Sequence, residues 1–413
     1  MRLAGAGFEG DPLAVVKDAG PGDRLWDVAD RRGPVIGVTL LVWLAAFGSV
    51  LAADRGRAAR FAARLLALSL VYLPLLCLAG AALDPSVSAE RLLVTLGCPA
   101  LAATTLFASS RLVSDTETKR KLGGYRALAF ACGATVLGHA IDLIAGSPLI
   151  QLSLAGPNPA AGHRFYGIGN ELEATLVVLV LAGTGAALSS FAVPPHGQSP
   201  QRWSARGAVA FLAVGIVFSF VFAYGRYGAD VGAAIVLPLG AAVAAARLVA
   251  RPRLALLAVL VPLPALALLA AVDLLSGSDA HLTRTVLQAD SGGDVLAVLG
   301  RRLREAGESF GRPLLLAILP FVLAGALLAW LRRDRIAVWL RDVPAMRAGL
   351  AGALAATLVG TVANDSGALL LEIGAIYLAA FVAFAWADSP VEHRSPTQTK
   401  SYTSVAHTRE LSP

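Results

Sequence analysis

Residues 164–193 read RFYGIGNELEATLVVLVLAGTGAALSSFAV. Charged and polar side chains with two glycines precede an apolar run that is long enough to cross a bilayer, because about 20 helical residues span the hydrocarbon core. Similar runs recur along the 413-residue chain, which is 56% hydrophobic and only 15% charged, with a mean hydropathy of +0.67. A β-barrel would show alternating segments of about 10 residues instead. The sequence therefore predicts an all-α polytopic membrane protein.

The apolar runs predict about eleven transmembrane helices within a domain at 34–387. We expect the polar segment 1–33 and the Ser/Thr/Pro-rich tail 388–413 to be loosely ordered, because neither has the apolar content of a core. The loop 276–312 is long, and its middle has the pattern of an amphipathic helix. The predicted spans are 34–53, 61–83, 92–110, 127–146, 172–193, 207–225, 231–247, 254–275, 313–331, 348–364 and 367–387.

The distribution of Lys and Arg predicts the orientation. The loops after the first, third, fifth, seventh and ninth predicted spans carry most of the positive charge, and such loops stay in the cytoplasm. The N-terminus is then outside and the C-terminus cytoplasmic. A single broken span over 207–247 would move the basic loop 332–347 outside, which this rule disfavours. The rule also accounts for the net charge of +7, so we expect no nucleic-acid partner.

This topology brings three polar clusters to the extracytoplasmic face, beside the loop 276–312. The clusters are 164–171, 226–230 and 364–367. Charged groups at a membrane boundary cost free energy unless they have a partner or a task. Helix capping by Asn170 and Glu171 explains part of the first cluster. It does not explain Arg164, Tyr166 or Glu173, so we favour a functional site.

The other clusters have structural alternatives. Arg226 and Asp230 are four residues apart and either pair on one helix face or leave Arg226 to bind phosphate. Asn364 to Gly367 has the signature of a tight turn. Glu372, inside the last span, needs a partner in the bundle interior. His139 and Asp142, one turn apart, are a weaker candidate for a general base.

The sequence indicates no cofactor and no metal site. Cys77, Cys98 and Cys132 lie in apolar runs, where cysteine acts as a small packing residue. Their spacing matches no metal motif. The Gly-x-Gly at 167–169 lacks the strand and the third glycine of a dinucleotide fingerprint.

The three clusters resemble the signature of a family of uncharacterised bacterial multi-span proteins with YGIGNEY, GANVGG and NDSG motifs. The likeness extends over about residues 125–387. This chain has Leu172 where the family tends to have Tyr, and Asp230 where it tends to have Asn. The resemblance implies a bacterial plasma-membrane protein. Some relatives carry an extracytoplasmic hydrolase-like domain, for which residues 1–33 are too short.

The order of motifs also resembles that of O-antigen ligases and polymerases. Arg164 with Asn170, Arg226 with Gly228, and a long outer loop with His281 and Arg284 follow one another as in that family. The likeness implies a polyprenyl-linked glycan as substrate. Arg164, Arg226 and Arg284 would then be phosphate ligands, and His281 or Glu171 the base.

The leading hypothesis is therefore a membrane-embedded transferase that acts on a polyprenyl-linked glycan at the extracytoplasmic face. The alternatives are a proton- or cation-coupled secondary transporter and a non-catalytic anchor subunit of a cell-envelope complex. The expected partners are membrane lipid and envelope proteins. The candidate catalytic residues are Glu171, Asp230 and His281, and the candidate substrate-binding residues are Arg164, Tyr166, Asn170, Glu173, Arg226, Arg284, Asn364 and Asp365.

Overall fold

The computed structural model describes residues 21–54, 56–111, 117–157, 167–191, 199–251, 253–275 and 292–389. These residues form helices and turns, and no strand occurs among them. The helices are α1 (Pro21–Arg32), α2 (Val38–Ala53), α3 (Arg57–Leu83), α4 (Val87–Arg111), α5 (Glu117–Ile144), α6 (Asn170–Ser189), α7 (Pro200–Ala223), α8 (Val231–Leu248), α9 (Leu254–Leu257), α10 (Pro262–Leu275), α11 (Gly292–Ser309), α12 (Pro313–Leu331), α13 (Arg333–Trp339), α14 (Pro344–Ala363) and α15 (Gly367–Asp388).

Ten helices of the described residues are long and apolar enough to cross a membrane, which confirms the prediction of an all-α polytopic protein. The predicted span 254–275, the eighth along the chain, is broken into α9, a 3-10 turn and α10. Pro262 and Pro264 lie at the break, and proline removes a backbone donor from a helix. Leu266 and Val272 of α10 pack near Tyr224 and Ala234, so this segment returns toward the start of α8.

The N-terminal region differs from the prediction. Residues 21–32, expected to be loosely ordered, form α1, which continues through a π-helical turn at Gly33–Gly37 into α2. Val28 and Val35 are buried, so this region contributes to the core. Its polar composition gave no sign of the helix, because Asp27 and Asp30 are exposed and Arg31 and Arg32 bond to groups that are distant in the chain.

Helix α6 is the centre of the bundle, and 83% of its most apolar stretch is buried. It packs against α5, α14, α15, α7 and α8, and α14 also packs against α8 and α15. Glycines allow the closest approach: a Cβ on Gly349 would lie 2.6 Å from the carbonyl oxygen of Leu181. Small residues at helix contacts are the usual way in which membrane helices pack tightly.

Two contact groups define one end of the bundle, here called the basic end. Arg64, near the start of α3, bonds at 2.8 Å to Asp388 at the end of α15. Trp203, Leu248 and Ala345 join the start of α7, the end of α8 and the start of α14. The basic loops predicted to face the cytoplasm lie here. The three polar clusters belong to the opposite end of the same helices, here called the site end.

Helix α12 lies at the periphery. Only 6% of its apolar stretch is buried, and Phe321 and Leu314 are among its many exposed side chains. A helix that is apolar all round suits contact with lipid. The amphipathic helix predicted within 276–312 is α11, and the last turn of α11 contacts the bundle through Ala306 and Ser309.

Candidate functional site

The first two polar clusters meet at the site end. The backbone N–H of Ile168 donates a 3.0 Å hydrogen bond to the carbonyl of Gly228, in the turn between α7 and α8. Gly167 has φ +80°, and a Cβ there would lie 2.0 Å from the Gly228 oxygen. Only glycine fits this conformation and this contact. The glycines of both motifs therefore bring two chain segments together.

The third cluster joins them through Asn364. Its side-chain amide donates a 2.7 Å hydrogen bond to Glu173 Oε2, and both side chains are buried. The Asn364 oxygen accepts the backbone N–H of Ser366 at 3.1 Å. Asn364 is thus part of a tight turn, as predicted, and it also bonds to a carboxyl group one turn inside α6.

A second carboxyl group, that of Asp230, lies against Glu173. The two side chains are within hydrogen-bonding reach, and one Asp230 oxygen also accepts the backbone N–H of Gly232 at 2.9 Å. A Cβ on Gly232 would lie 2.7 Å from Glu173 Oε1 and 3.1 Å from Asp230 Oδ1. Glycine at this position leaves room for the two acidic groups to meet. If both groups were ionised, neither could donate a hydrogen bond to the other, because a carboxylate only accepts.

Asn170 connects α6 to the same turn. Its amide donates to Asp365 Oδ1 at 3.0 Å and to the Ser366 hydroxyl at 2.7 Å. The prediction that Asn170 is an N-cap is wrong. The cap position is Gly169, and Asn170 begins the helix with its side chain directed to α15. A capping Asn accepts backbone N–H groups of its own helix through its side-chain oxygen, whereas the Asn170 amide nitrogen donates to the turn before α15.

A cleft of about 410 Å³ opens beside this turn. Its walls combine the end of α11, the start of α12 and the turn before α15. They carry three carboxylates and one guanidinium, so the cleft is acidic. The lining residues are Glu305, Glu308, Ser309, Arg312, Asp365 and Ser366.

Hydrogen bonds connect this cleft with the buried acids. Ser366 lines the cleft and donates its backbone N–H to Asn364, and Asn364 donates its amide to Glu173. Beside Glu173 lies a void of about 10 Å³, which is near the size of one water. The arrangement links a surface cleft to two carboxyl groups inside the bundle.

Arg32 is a site-end residue that the sequence analysis missed. Its guanidinium donates to the carbonyl of Pro157 at 3.0 Å and interacts electrostatically with half-buried Glu171. Its Nε is buried without a hydrogen-bond partner among the described residues. Arg32 therefore holds the segment after α5 and balances one carboxylate. The signal in the sequence was an Arg directly before an apolar run.

Of the remaining candidates, Arg226 lies in the turn between α7 and α8 with an exposed side chain. Ala229, in the same turn, has φ +52°, so the backbone bends sharply here. Arg164, Tyr166, His281 and Arg284 lie outside the described residues. The structure thus brings Asn170, Glu173, Asp230, Asn364 and Asp365 together and leaves Arg226 at the surface.

The weaker candidate pair has a structural role. Asp142 accepts the backbone N–H groups of Leu149 and Ile150 at 3.1 and 2.9 Å, which fixes the turn after α5. His139 Nδ1 bonds to the Thr135 carbonyl, and the ring is buried. Neither side chain belongs to the cleft.

No group of three or more His, Cys, Asp or Glu residues with metal-binding geometry occurs in the described ranges. No protein-family model, curated protein or solved structure matches the chain.

Proposed function

We propose that this protein is a proton- or cation-coupled secondary transporter and that Glu173 and Asp230 form its ion-binding site. The observation that supports this is the contact between the two buried carboxyl groups, which Asn364 and Ser366 connect by hydrogen bonds to the wall of the cleft. Two carboxylates in contact repel each other, and a shared proton or a bound cation removes the repulsion. Carboxyl groups inside a membrane domain commonly mark proton or ion pathways.

The helix geometry is consistent with this role. The site lies at the turn between α7 and α8, which contains Gly225 and Gly228, and at the short turn between α14 and α15. Helix ends leave backbone groups free to bind an ion. Asp230 already uses one of them, the N–H of Gly232.

The charge of the described cleft lining does not favour a diphosphate substrate. Glu305, Glu308 and Asp365 outnumber Arg312, and a pyrophosphate group requires an excess of cationic ligands. The transferase hypothesis depends on Arg164, Tyr166, His281 and Arg284, which lie outside the described residues, and it stays a prediction. An acidic cleft fits a cation or a cationic solute better.

We infer that the site end faces out of the cytoplasm of a bacterium, in its plasma membrane. The basic end carries Arg57, Arg60 and Arg64 in the first turns of α3 and the arginines around α13, and positively charged ends stay in the cytoplasm. The cleft would then receive its ion or solute from outside the cell.

The test is a pH jump on proteoliposomes adsorbed to a solid-supported membrane. Protons that enter a site within the membrane move charge, so no knowledge of the solute is needed. We expect a transient current in the wild type that is smaller in Glu173→Gln and unchanged in Asp334→Asn, a control at the basic end. A parallel Na⁺ jump distinguishes cation from proton. Equal currents in Glu173→Gln and the wild type would contradict the proposal.

A further inference from the structure

Glu372 is a second buried carboxyl group that the proposed ion site does not use. Ala368, Glu372 and Ile376 follow one another at intervals of one turn along one face of α15. Ile376 is 44% exposed, whereas Glu372 is 2% exposed. The face of α15 that carries Glu372 is therefore exposed one turn further along, at Ile376. Another part of the protein must cover the Glu372 carboxyl group.

The junction of α11 and α12 provides that cover. The backbone N–H of Ala368 donates a 3.0 Å hydrogen bond to the Ser309 hydroxyl at the end of α11. Both α11 and α12 pack against α15. Ser309 lies one turn above Glu372 on this face, and it also lines the cleft. The α11–α12 junction therefore borders the cleft and also contacts the face of α15 that carries Glu372.

The cover is held by few buried groups. Ala306 and Ser309 are the buried side chains of α11 among those described, and Leu315 is the buried side chain of α12. The outer face of α12 is exposed along its length. Segments with few buried apolar contacts open at low free-energy cost.

Within the described part of the chain, no ion pair involves the Glu372 carboxyl group. Glu372 Oε1 is buried without a hydrogen-bond partner in the described part of the chain. An isolated carboxylate inside a membrane domain is costly, whereas the neutral acid is tolerated. The described charged residues at the site end of the helices packed against α15 are Arg301, Arg304, Glu305 and Glu308 of α11, Arg312 before α12, Glu171 and Glu173 of α6, and Asp84 after α3. The charged residues of α13, α14 and the start of α3 lie at the basic end.

We propose that Glu372 is a second proton-binding site, covered by the α11–α12 junction and reached from the cleft when that junction opens. The proton passes from water in the cleft to the carboxylate, and no other bond changes. The proposal is independent of the Glu173–Asp230 site, which lies on the side of α15 that faces α6.

Carbodiimide labelling tests both parts, because carbodiimides react with protonated carboxyl groups and mass spectrometry locates the product. The membrane-soluble reagent dicyclohexylcarbodiimide should label Glu372 in the reconstituted wild type, and Glu372→Gln should lose that labelled peptide. The label should decrease as pH rises. No label on Glu372 at any pH would overturn the assignment as a proton site.

A double variant, Ser309→Cys with Ala368→Cys, tests the cover. These positions adjoin, and the native cysteines Cys77, Cys98 and Cys132 are buried. Oxidation should form a disulfide and abolish labelling of Glu372 by a water-soluble carbodiimide, and dithiothreitol should restore it. Equal labelling in the oxidised and reduced forms would contradict the cover. Failure of the disulfide to form would contradict it too, because the two positions would then not adjoin.

Discussion

The amide of Asn364 donates a 2.7 Å hydrogen bond to Glu173 Oε2, joining positions 191 residues apart in the chain. The bond connects the turn between α14 and α15 to the first turn of α6. Asp230 also lies against the Glu173 carboxyl group, so three chain segments meet at this one side chain.

The Asn364–Glu173 bond should have a measurable coupling energy. In a double-mutant cycle of Asn364→Ala and Glu173→Ala, we expect a coupling of about 0.6–2 kcal/mol, the range of hydrogen bonds between membrane helices. Denaturant unfolding in mixed micelles measures it. Ser110→Ala is the control for the loss of a hydrogen bond that does not join two helices, since the exposed Ser110 hydroxyl donates to the Phe107 carbonyl of its own helix. A coupling of zero would mean that the bond does not form in the folded protein.

Gly232 should not tolerate a methyl group. A Cβ there would lie 2.7 Å from Glu173 Oε1, so Gly232→Ala must displace the carboxyl group. We expect a loss of about 1–3 kcal/mol of unfolding free energy, the usual cost of overpacking, and a smaller pH-jump current.

Gly325→Ala is the matched control for this change. Gly325 is a helical glycine of α12 with no atom within 4 Å of an added Cβ. Alanine there should stabilise the helix by up to about 1 kcal/mol. If the two alanine variants behave alike, the close contact at Gly232 is not present.

Arg32 should hold the segment that follows α5. Arg32→Ala removes the donor to the carbonyl of Pro157, so the backbone of 149–157 should open more often. Hydrogen exchange followed by mass spectrometry should show faster exchange in that segment. Arg333→Ala is the control, because Arg333 bonds to the nearby Trp330 carbonyl in an exposed position at the basic end. Unchanged exchange at 149–157 would argue against this role for Arg32.

The inferred orientation is testable with single cysteines. Glu308→Cys lies in the cleft, and Arg333→Cys lies at the basic end. A membrane-impermeant maleimide added to intact cells should label the first and not the second. The native cysteines are buried and should give little background. Labelling of Arg333→Cys alone would show that the orientation is the opposite of the one inferred.

The fold could be predicted because about 20 apolar residues with few charges have no other stable arrangement in water or lipid. The prediction that the three clusters lie at one end of the bundle followed from the alternating direction of successive spans across the membrane. The role of each residue could not be predicted in this way. Asn170 fits a cap by local pattern, and only the three-dimensional contact with Asp365 shows that its amide bonds elsewhere.

Helix α1 and Arg32 were missed for a related reason. A polar segment of 33 residues has no core of its own, so its composition indicates disorder. Residues 21–32 are ordered by partners far along the chain, such as the carbonyl of Pro157 and the carboxylate of Glu90 beside Arg31. Such partners leave no local signal in the sequence.

The central claim is that Glu173 and Asp230 share a proton or bind a cation, and infrared difference spectroscopy tests it most directly. In a pH titration of the purified protein, we expect a carboxylic acid band that Glu173→Gln and Asp230→Asn each remove or shift. Glu372→Gln should leave that band in place. If neither Glu173→Gln nor Asp230→Asn alters any carboxyl band, and added Na⁺ has no effect on the spectrum, the pair is not an ion-binding site.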